Sequence, residues 1–349
     1  MEKAFITGIT GQDGSYLAEL LLNKGYQVHG LVRRAAVESN LHRYSRINHI
    51  KDKLVLHSGD IVNYERIFEL IAMIKPDECY HLAAQSFVQE SFEDPSTTIM
   101  MNIQGTLNIL NAIKNASPKT KFYFAGSSEM FGKVKESPQT EKTPFYPRSP
   151  YGISKVTGFD LTRNFREAYR LFACSGILFN HESQRRGSEF VTRKITQSIA
   201  KIVRKKDNVL VLGNIDAKRD WGFAGDYVYA MWKMLQQQKP DDFVIATGQT
   251  HSVRSFIEKA FSFTKIGEPE FIDLHNKSIE QADKEVKLLR SRKDKVFVVQ
   301  HPRFYRLAEV ELLLGDYSKA KKELGWHPKT SFDNLVKQMI GSDIKNFQI

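Results

Sequence analysis

Short β-branched or aromatic runs alternate with longer stretches of helical periodicity over the first half of the chain. The runs are Ala4 to Thr7, Gln27 to Val32, Leu54 to His57, Glu78 to Leu82, Lys121 to Ala125 and Gly176 to Phe179. This rhythm predicts parallel strands joined by helical crossovers. After Asn180 it loosens: helical patterns at Val191 to Val203, Ala224 to Gln237 and Val253 to Ala260 mix with isolated strands at Val209 to Leu212 and Phe243 to Thr247. The expected organisation is a doubly wound parallel sheet over residues 1–180, joined by some later segments. A smaller lobe, mainly residues 181–349, is expected to cover its edge.

One turn changes the picture from fold to ligand. Between the first strand and an amphipathic helix carrying Tyr16, Leu17, Leu20 and Leu21 lies "GITGQDG", with Gly8, Gly11 and Gly14 spaced GxxGxxG. Such a turn brings backbone N–H groups against a pyrophosphate at a helix N-terminus, whose dipole favours the negative charge. The sheet is therefore expected to be Rossmann-type, with Gly8, Ile9, Thr10, Gly11, Gln12, Asp13 and Gly14 on the cofactor. Where a carboxylate would serve NAD, the second strand ends in Arg33 and Arg34, which invites the 2'-phosphate of NADP. Asp60 and Ile61 follow the third strand and are expected at the adenine. Leu82, Ala83, Ala84, Gln85 and Ser86 follow the fourth and are expected beneath the nicotinamide.

"SPYGISK" places Tyr151 and Lys155 four apart, one turn from each other on a helix face. A lysine ammonium there would favour the phenolate and make Tyr151 a general base. "FAGSSEMFG" adds Ser127 and Glu129 beyond the fifth strand, at the ligand-binding sheet edge. Two apart in extended chain, they would point the same way. A carboxylate in that place is superfluous to a C4 epimerase or reductase. An enzyme that oxidises a sugar at C4 and then removes the C5 proton requires one.

Net charge is +11, so an anionic partner is expected. The densest basic stretch, Lys284 to Val296, lacks the interleaved aromatics of a nucleic-acid platform and reads as solvated surface. Cys79 and Cys174 sit in apolar runs without metal or redox spacing and read as core residues. No metal site is expected. With no signal-peptide pattern or apolar run of membrane length, the expected location is cytoplasmic, away from membranes.

These motifs, with "TPFYPRSPYG", "GILFNHES", "RRG", "FVTRKIT", "KRDWG" and "DFVIATG", resemble the GDP-mannose 4,6-dehydratases, extended short-chain dehydrogenase/reductases, over nearly the whole chain. The resemblance implies an NADP-dependent lyase acting on a GDP-sugar and forming a homodimer or homotetramer. It implies Ser127 where the family usually has threonine, Glu129 as the C5 base, Tyr151 as the C4-hydroxyl base and Lys155 as the ribose-binding partner. It also implies His181 and Arg186 at NADP, and Ser86, Asn180, Val191, Lys194, Arg219 and Arg303 on the nucleotide-sugar side.

The chain departs from the family pattern at Phe87, usually His; at Gln184, usually Pro; at Leu307, where Arg-Pro is replaced by Arg306-Leu307; and at Ala35 to Ser39. The first three motivate an alternative substrate, a GDP-manno-heptose whose extra hydroxyl Gln184 would meet. The last bears on the family's cofactor-bridged tetramer contact. A C4 epimerase or reductase and a non-catalytic NADP- or RNA-binding protein are the competing classes.

Overall fold

The structure is a computed structural model describing residues 1–33, 43–305, 308, 310 and 312–346. Fourteen strands are described: β1 (Lys3–Thr7), β2 (Gln27–Val32), β3 (Val55–Ser58), β4 (Glu78–His81), β5 (Lys121–Ala125), β6 (Ala173–Leu178) and β7 (Asn180–Glu182), then β8 (Val209–Leu212), β9 (Lys218–Arg219), β10 (Trp221–Phe223), β11 (Phe243–Ile245), β12 (His251–Ser252), β13 (Glu270–Asp273) and β14 (Phe297–Gln300).

Seven of them form one parallel sheet in the order β11-β6-β5-β4-β1-β2-β3. The order reverses direction at β1 and β4, and in such sheets the carboxyl ends of the strands around that switch form the ligand crevice. Side chains alternate across the sheet. Phe5, Cys79, Phe122 and Phe124 pack on one face against Ile67, Leu70, Ile109 and Phe159 of three helices. Ala4, Ile6, Tyr80, Tyr123 and Cys174 pack on the other against Leu17, Leu21, Met231 and Met234. Three layers result, and both cysteines lie in them as free, buried thiols. The Phe243 strand is a later segment that joins the large sheet: as β11 it pairs with β6 and completes it.

A second parallel sheet, β13-β14-β8, lies beyond. Its Leu210, Leu212 and Val298 bury against Ile195, Ile199, Phe256, Leu335 and Met339 from three helices. β13 and β14 have no counterpart among the expected strands. Asn180 and His181 of β7, Arg219 of β9 and Trp221 of β10, from the separate short pairs β7-β10 and β9-β12, line one cleft together with residues at the ends of the two larger sheets. No helix among the described residues is long and apolar enough to cross a membrane.

Candidate active site

A cavity of about 770 Å³ opens at the carboxyl ends of β1, β2, β4, β5 and β6 and extends to the second sheet. Its floor is the glycine turn. Gly8 has φ of +75°, and a Cβ there would lie 2.8 Å from the backbone nitrogen of Ala83. A Cβ on Gly14 would lie 2.2 Å from the Gly8 carbonyl oxygen. These two glycines therefore let turn, helix and β4 loop touch. Gly11 is different: its Cβ would meet only the Gly8 oxygen, at 3.1 Å, leaving its remaining side open to the cleft. Gly11 is also the N-cap of the helix Gln12–Asn23, whose first N–H groups face the same space.

The helix Pro150–Tyr169 is started by Ser149, whose hydroxyl accepts from the Gly152 N–H at 3.0 Å, with Pro150 in its first turn. This cap sets Tyr151 in the first turn and Lys155 one turn on. Gly152 is required by neighbours: a Cβ there would sit 2.8 Å from the Glu129 carbonyl oxygen. Glu129 and the helix thus meet backbone to backbone. Ser127 has extended backbone, but Glu129 lies in a 3-10 turn, Ser128–Met130, whose start Ser127 caps by accepting the Glu129 N–H at 3.2 Å. The extended-chain argument for their common direction therefore fails, while the turn still brings both to the cavity wall.

Burial pushes the Tyr151 phenol up to about 12, opposed by its hydrogen bond with Ser127 and increased by the Glu129 charge. The expected depression of Tyr151 by Lys155 is absent from this arrangement. Lys155 instead donates to the Ala125 carbonyl oxygen at 2.8 Å, with its Nζ 5.8 Å from the Tyr151 ring centre, and burial pushes it down to about 8.

Most of the expected cofactor residues reach the cavity: Gly8, Thr10, Gly11, Gln12, Asp13, Gly14, Arg33, Ile61, Leu82, Ala83, Ala84, Ser86, His181 and Arg186. Three do not. Ile9 is fully buried against Gly30 beneath β2. The Asp60 carboxylate folds onto its own turn, accepting the Val62 N–H at 3.2 Å, while Gly59 and Ile61 form the wall. Gln85 is turned away: Asn102 accepts its N–H at 2.9 Å, and its side-chain amide donates to the Phe87 carbonyl at 3.0 Å. Arg34, Ala35 to Ser39, Arg306 and Leu307 lie outside the described residues.

Every expected nucleotide-sugar residue lines the cavity: Ser86, Asn180, Val191, Lys194, Arg219 and Arg303. Burial lowers the Lys194 ammonium from its ordinary value, and its Nζ stands 3.7 Å from the Phe304 ring centre. Gln184 is absent from the wall: its backbone carbonyl accepts from Arg193, and its side-chain Oε1 is buried away from the cavity. Phe87 does line the wall, edge-to-face with Phe190 at 5.8 Å between centroids.

Sequence reasoning missed Asn102. It sits in a π-helical turn, Met100–Gln104, and its amide donates both to the Gln85 carbonyl and to Ser154 of the helix Pro150–Tyr169, at 3.0 and 2.9 Å. Such turns recur at functional sites, but a π-turn leaves no periodicity signal in sequence. Among the described residues no cluster of three or more metal-ligating side chains occurs.

The family model for GDP-mannose 4,6 dehydratase matches residues 5–339. GDP-mannose 4,6 dehydratase 2 of Caenorhabditis elegans is 49% identical over 352 residues, covering 98% of this chain and 88% of the relative. GDP-mannose 4,6 dehydratase of Homo sapiens is 49% identical over 348 residues, covering 98% and 91%. In fold, the chain is similar to the solved structure of RMD from Pseudomonas aeruginosa complexed with NADPH, with a TM-score of 0.77, 22% identity and coverage of 99% and 100%. Near-half identity sustained from the glycine turn to the last helix leaves one conclusion: the chain belongs to the GDP-mannose 4,6-dehydratase family.

Proposed function

We propose that this protein removes water from GDP-mannose, giving the 4-keto-6-deoxy sugar, as an NADP-dependent lyase. The observation that carries the reading is the Glu129 carboxylate, set beside Ser127 and Tyr151 on one cavity wall. An epimerase or reductase has no use for it, and the heptose alternative loses its main support with Gln184 off the wall. The cleft fits a dinucleotide: Gly11 presents open backbone at a helix N-terminus, and the cavity runs from there past Tyr151 and Lys155 to Lys194 and Arg219. The glycine turn, Arg33 and the Leu82 to Ser86 loop would hold NADP, which when bound supplies the hydride acceptor and donor.

The chain's own groups carry the protons. Tyr151 takes the C4 hydroxyl proton, with Ser127 holding the same oxygen. The resulting 4-ketone acidifies C5–H. Glu129 removes that proton, and the C6 hydroxyl departs as water once it has received one. In this reading residues up to about 180 serve mainly the cofactor and later ones the nucleotide sugar. Exposed Ile99, Met100 and Ile153 on neighbouring helices suit a homodimer or homotetramer.

Mass spectrometry of the products from a panel of GDP-sugars tests the reading. GDP-mannose should lose one water, with one solvent deuterium fixed at C5 in D₂O. A product of unchanged mass, epimerised at C4, would overturn it. Arg33 lines the cavity at the end of β2, so Arg33→Ala is expected to weaken NADP far more than NAD. Loss of a charge-assisted hydrogen bond costs roughly 1.5–3 kcal/mol. Calorimetric titration with both cofactors checks this; equal losses would mean that Arg33 does not read the 2'-phosphate.

A further inference from the structure

His181 on β7 meets an oxygen acceptor at each ring nitrogen. Nδ1 lies 2.7 Å from the Phe179 carbonyl oxygen and Nε2 lies 2.7 Å from Asp13 Oδ2. A neutral imidazole has one N–H to give. With that proton given to the carbonyl, Nε2 can bond the carboxyl group only across a second proton. The pair therefore holds one proton more than a neutral histidine beside an ionised aspartate. The two side chains are 11% and 20% exposed, and the imidazole stacks on Tyr227 at 4.6 Å.

We propose that His181 is a positioning residue held as an imidazolium by Asp13, and that its proton fastens β7 to the first turn of the cofactor-binding helix and sustains cofactor affinity. The affinity half of this proposal rests on the dinucleotide reading of the glycine turn. Neighbouring bonds build the same seam. Gln12 donates to Asp13 Oδ1 and to the His181 carbonyl, each at 3.0 Å, and accepts from Ser183 at 2.8 Å. Arg185 reaches Ser15 at 3.1 Å and Glu19 at 2.6 Å. Of these links, the one through His181 is the one that titrates near neutrality.

The chemistry explains why a charge belongs there. Asp13 stands in the first helical turn, beside the expected pyrophosphate position, where an uncompensated carboxylate would repel the phosphates. The imidazolium cancels it. Facing groups pull in both directions. Arg186 opposes the histidine's charge, while it pairs with Glu182 at 3.1 Å on the same strand. Lys155 and Tyr151 of the helix Pro150–Tyr169 and Tyr123 of β5 feel the Asp13 charge, and Tyr227 packs from the helix Ala224–Leu235. Burial pulls the His181 imidazole down, but the Asp13 charge and hydrogen bond outweigh it and raise it above its ordinary value. Burial likewise pushes Asp13 up, and His181, Gln12 and Arg186 together hold it below.

The sign follows from both shifts. The pair's stabilisation is complete between about pH 4 and 6.5, the ordinary values of the two groups. It is lost as pH rises through the raised His181 value or falls through the lowered Asp13 value.

The experiment titrates the ¹⁵N-histidine-labelled full chain by NMR and measures NADP affinity by fluorescence at pH 6, 7 and 8. In the unsubstituted protein both His181 nitrogens should carry protons at pH 7, and any fall in affinity toward pH 8 should follow the His181 midpoint that NMR reads. Asp13→Asn removes the charge that holds the proton on the ring while keeping the side chain's shape, so the fold is retained. Its His181 midpoint should fall, and its NADP affinity should drop about tenfold from pH 6 to 8. His181→Gln should abolish that pH dependence. A neutral His181 at pH 7 in the unsubstituted protein would overturn the protonation, and a flat affinity series in Asp13→Asn would overturn the coupling. If the unsubstituted protein binds no NADP at any pH, the dinucleotide reading and the affinity claim fall together. The NMR arm needs no cofactor and judges the protonation separately.

Discussion

Tyr151→Phe is expected to lower turnover of GDP-mannose by about 10²–10⁴-fold while leaving NADP binding unchanged. The substitution removes one oxygen and keeps the ring, which is buried in the first turn of a helix whose cap, Ser149, is untouched. The glycine turn makes its contacts with Ala83 and its own helix, so nothing there depends on the phenol. The loss should fall on the first chemical step. Burial holds the phenol at about 12, so only a small fraction is phenolate near neutrality, and that fraction grows tenfold per pH unit. Through the neutral range, C4 oxidation in the unsubstituted enzyme should therefore rise with pH. The slope should vanish in Tyr151→Phe. Rapid-quench measurement of oxidised sugar across pH, in both proteins, reads this directly, and normal C4 oxidation in the variant would remove Tyr151 from the mechanism.

Glu129→Gln is the second large effect, and its signature is different. The amide fills the same space on the Ser128–Met130 turn, and the contact between the Glu129 backbone and Gly152 is retained. It cannot take a proton from carbon. Dehydration should fall by about 10²–10⁴-fold, while C4 oxidation continues. The bound sugar should then lose two hydrogens but no water, and its C5 hydrogen should stop exchanging with D₂O. Persistent rapid exchange would identify another group as the base. The two variants together divide the reaction: one stops it before the ketone forms, the other after.

Much of the site was legible in sequence because its chemistry depends on local spacing. GxxGxxG, YxxxK and the residues after each strand end state their positions relative to a turn or a helix, and the fold carries them to the crevice. What failed to be legible was orientation. Ile9, Asp60 and Gln85 belong to the right segments, but which of their atoms faces the cleft is set by tertiary neighbours: Gly30 for Ile9, Val62 for Asp60 and Asn102 for Gln85. Ser127 and Glu129 reached one wall through a 3-10 turn rather than extended chain. The Tyr151 environment was hidden for the same reason, since burial and the pull of Ala125 on Lys155 arise only after packing. In the fold, the parallel strands of the first half were set by β-branched runs. β13 and β14 are four-residue strands, and the pairings of β13 with β14 and of β14 with β8 span distances in sequence that no local pattern reports.

The return of β11 to the large sheet governs how this molecule is made. Strands β7 to β10 lie outside the first sheet, β8 joining the second, and only then does residue 243 come back to close the far edge beside β6. Gln139 continues the exchange, its backbone bonding Leu314 and Asp316 across just over half the chain. Such ties must wait for distant segments to emerge and close large loops, which slows folding far more than it lowers stability. As the chain emerges from the ribosome, the glycine turn and the helix Pro150–Tyr169 are synthesised well before the segment that finishes their sheet. The nascent first half therefore carries β6 as an open edge, available to other strands until residues 243–245 arrive.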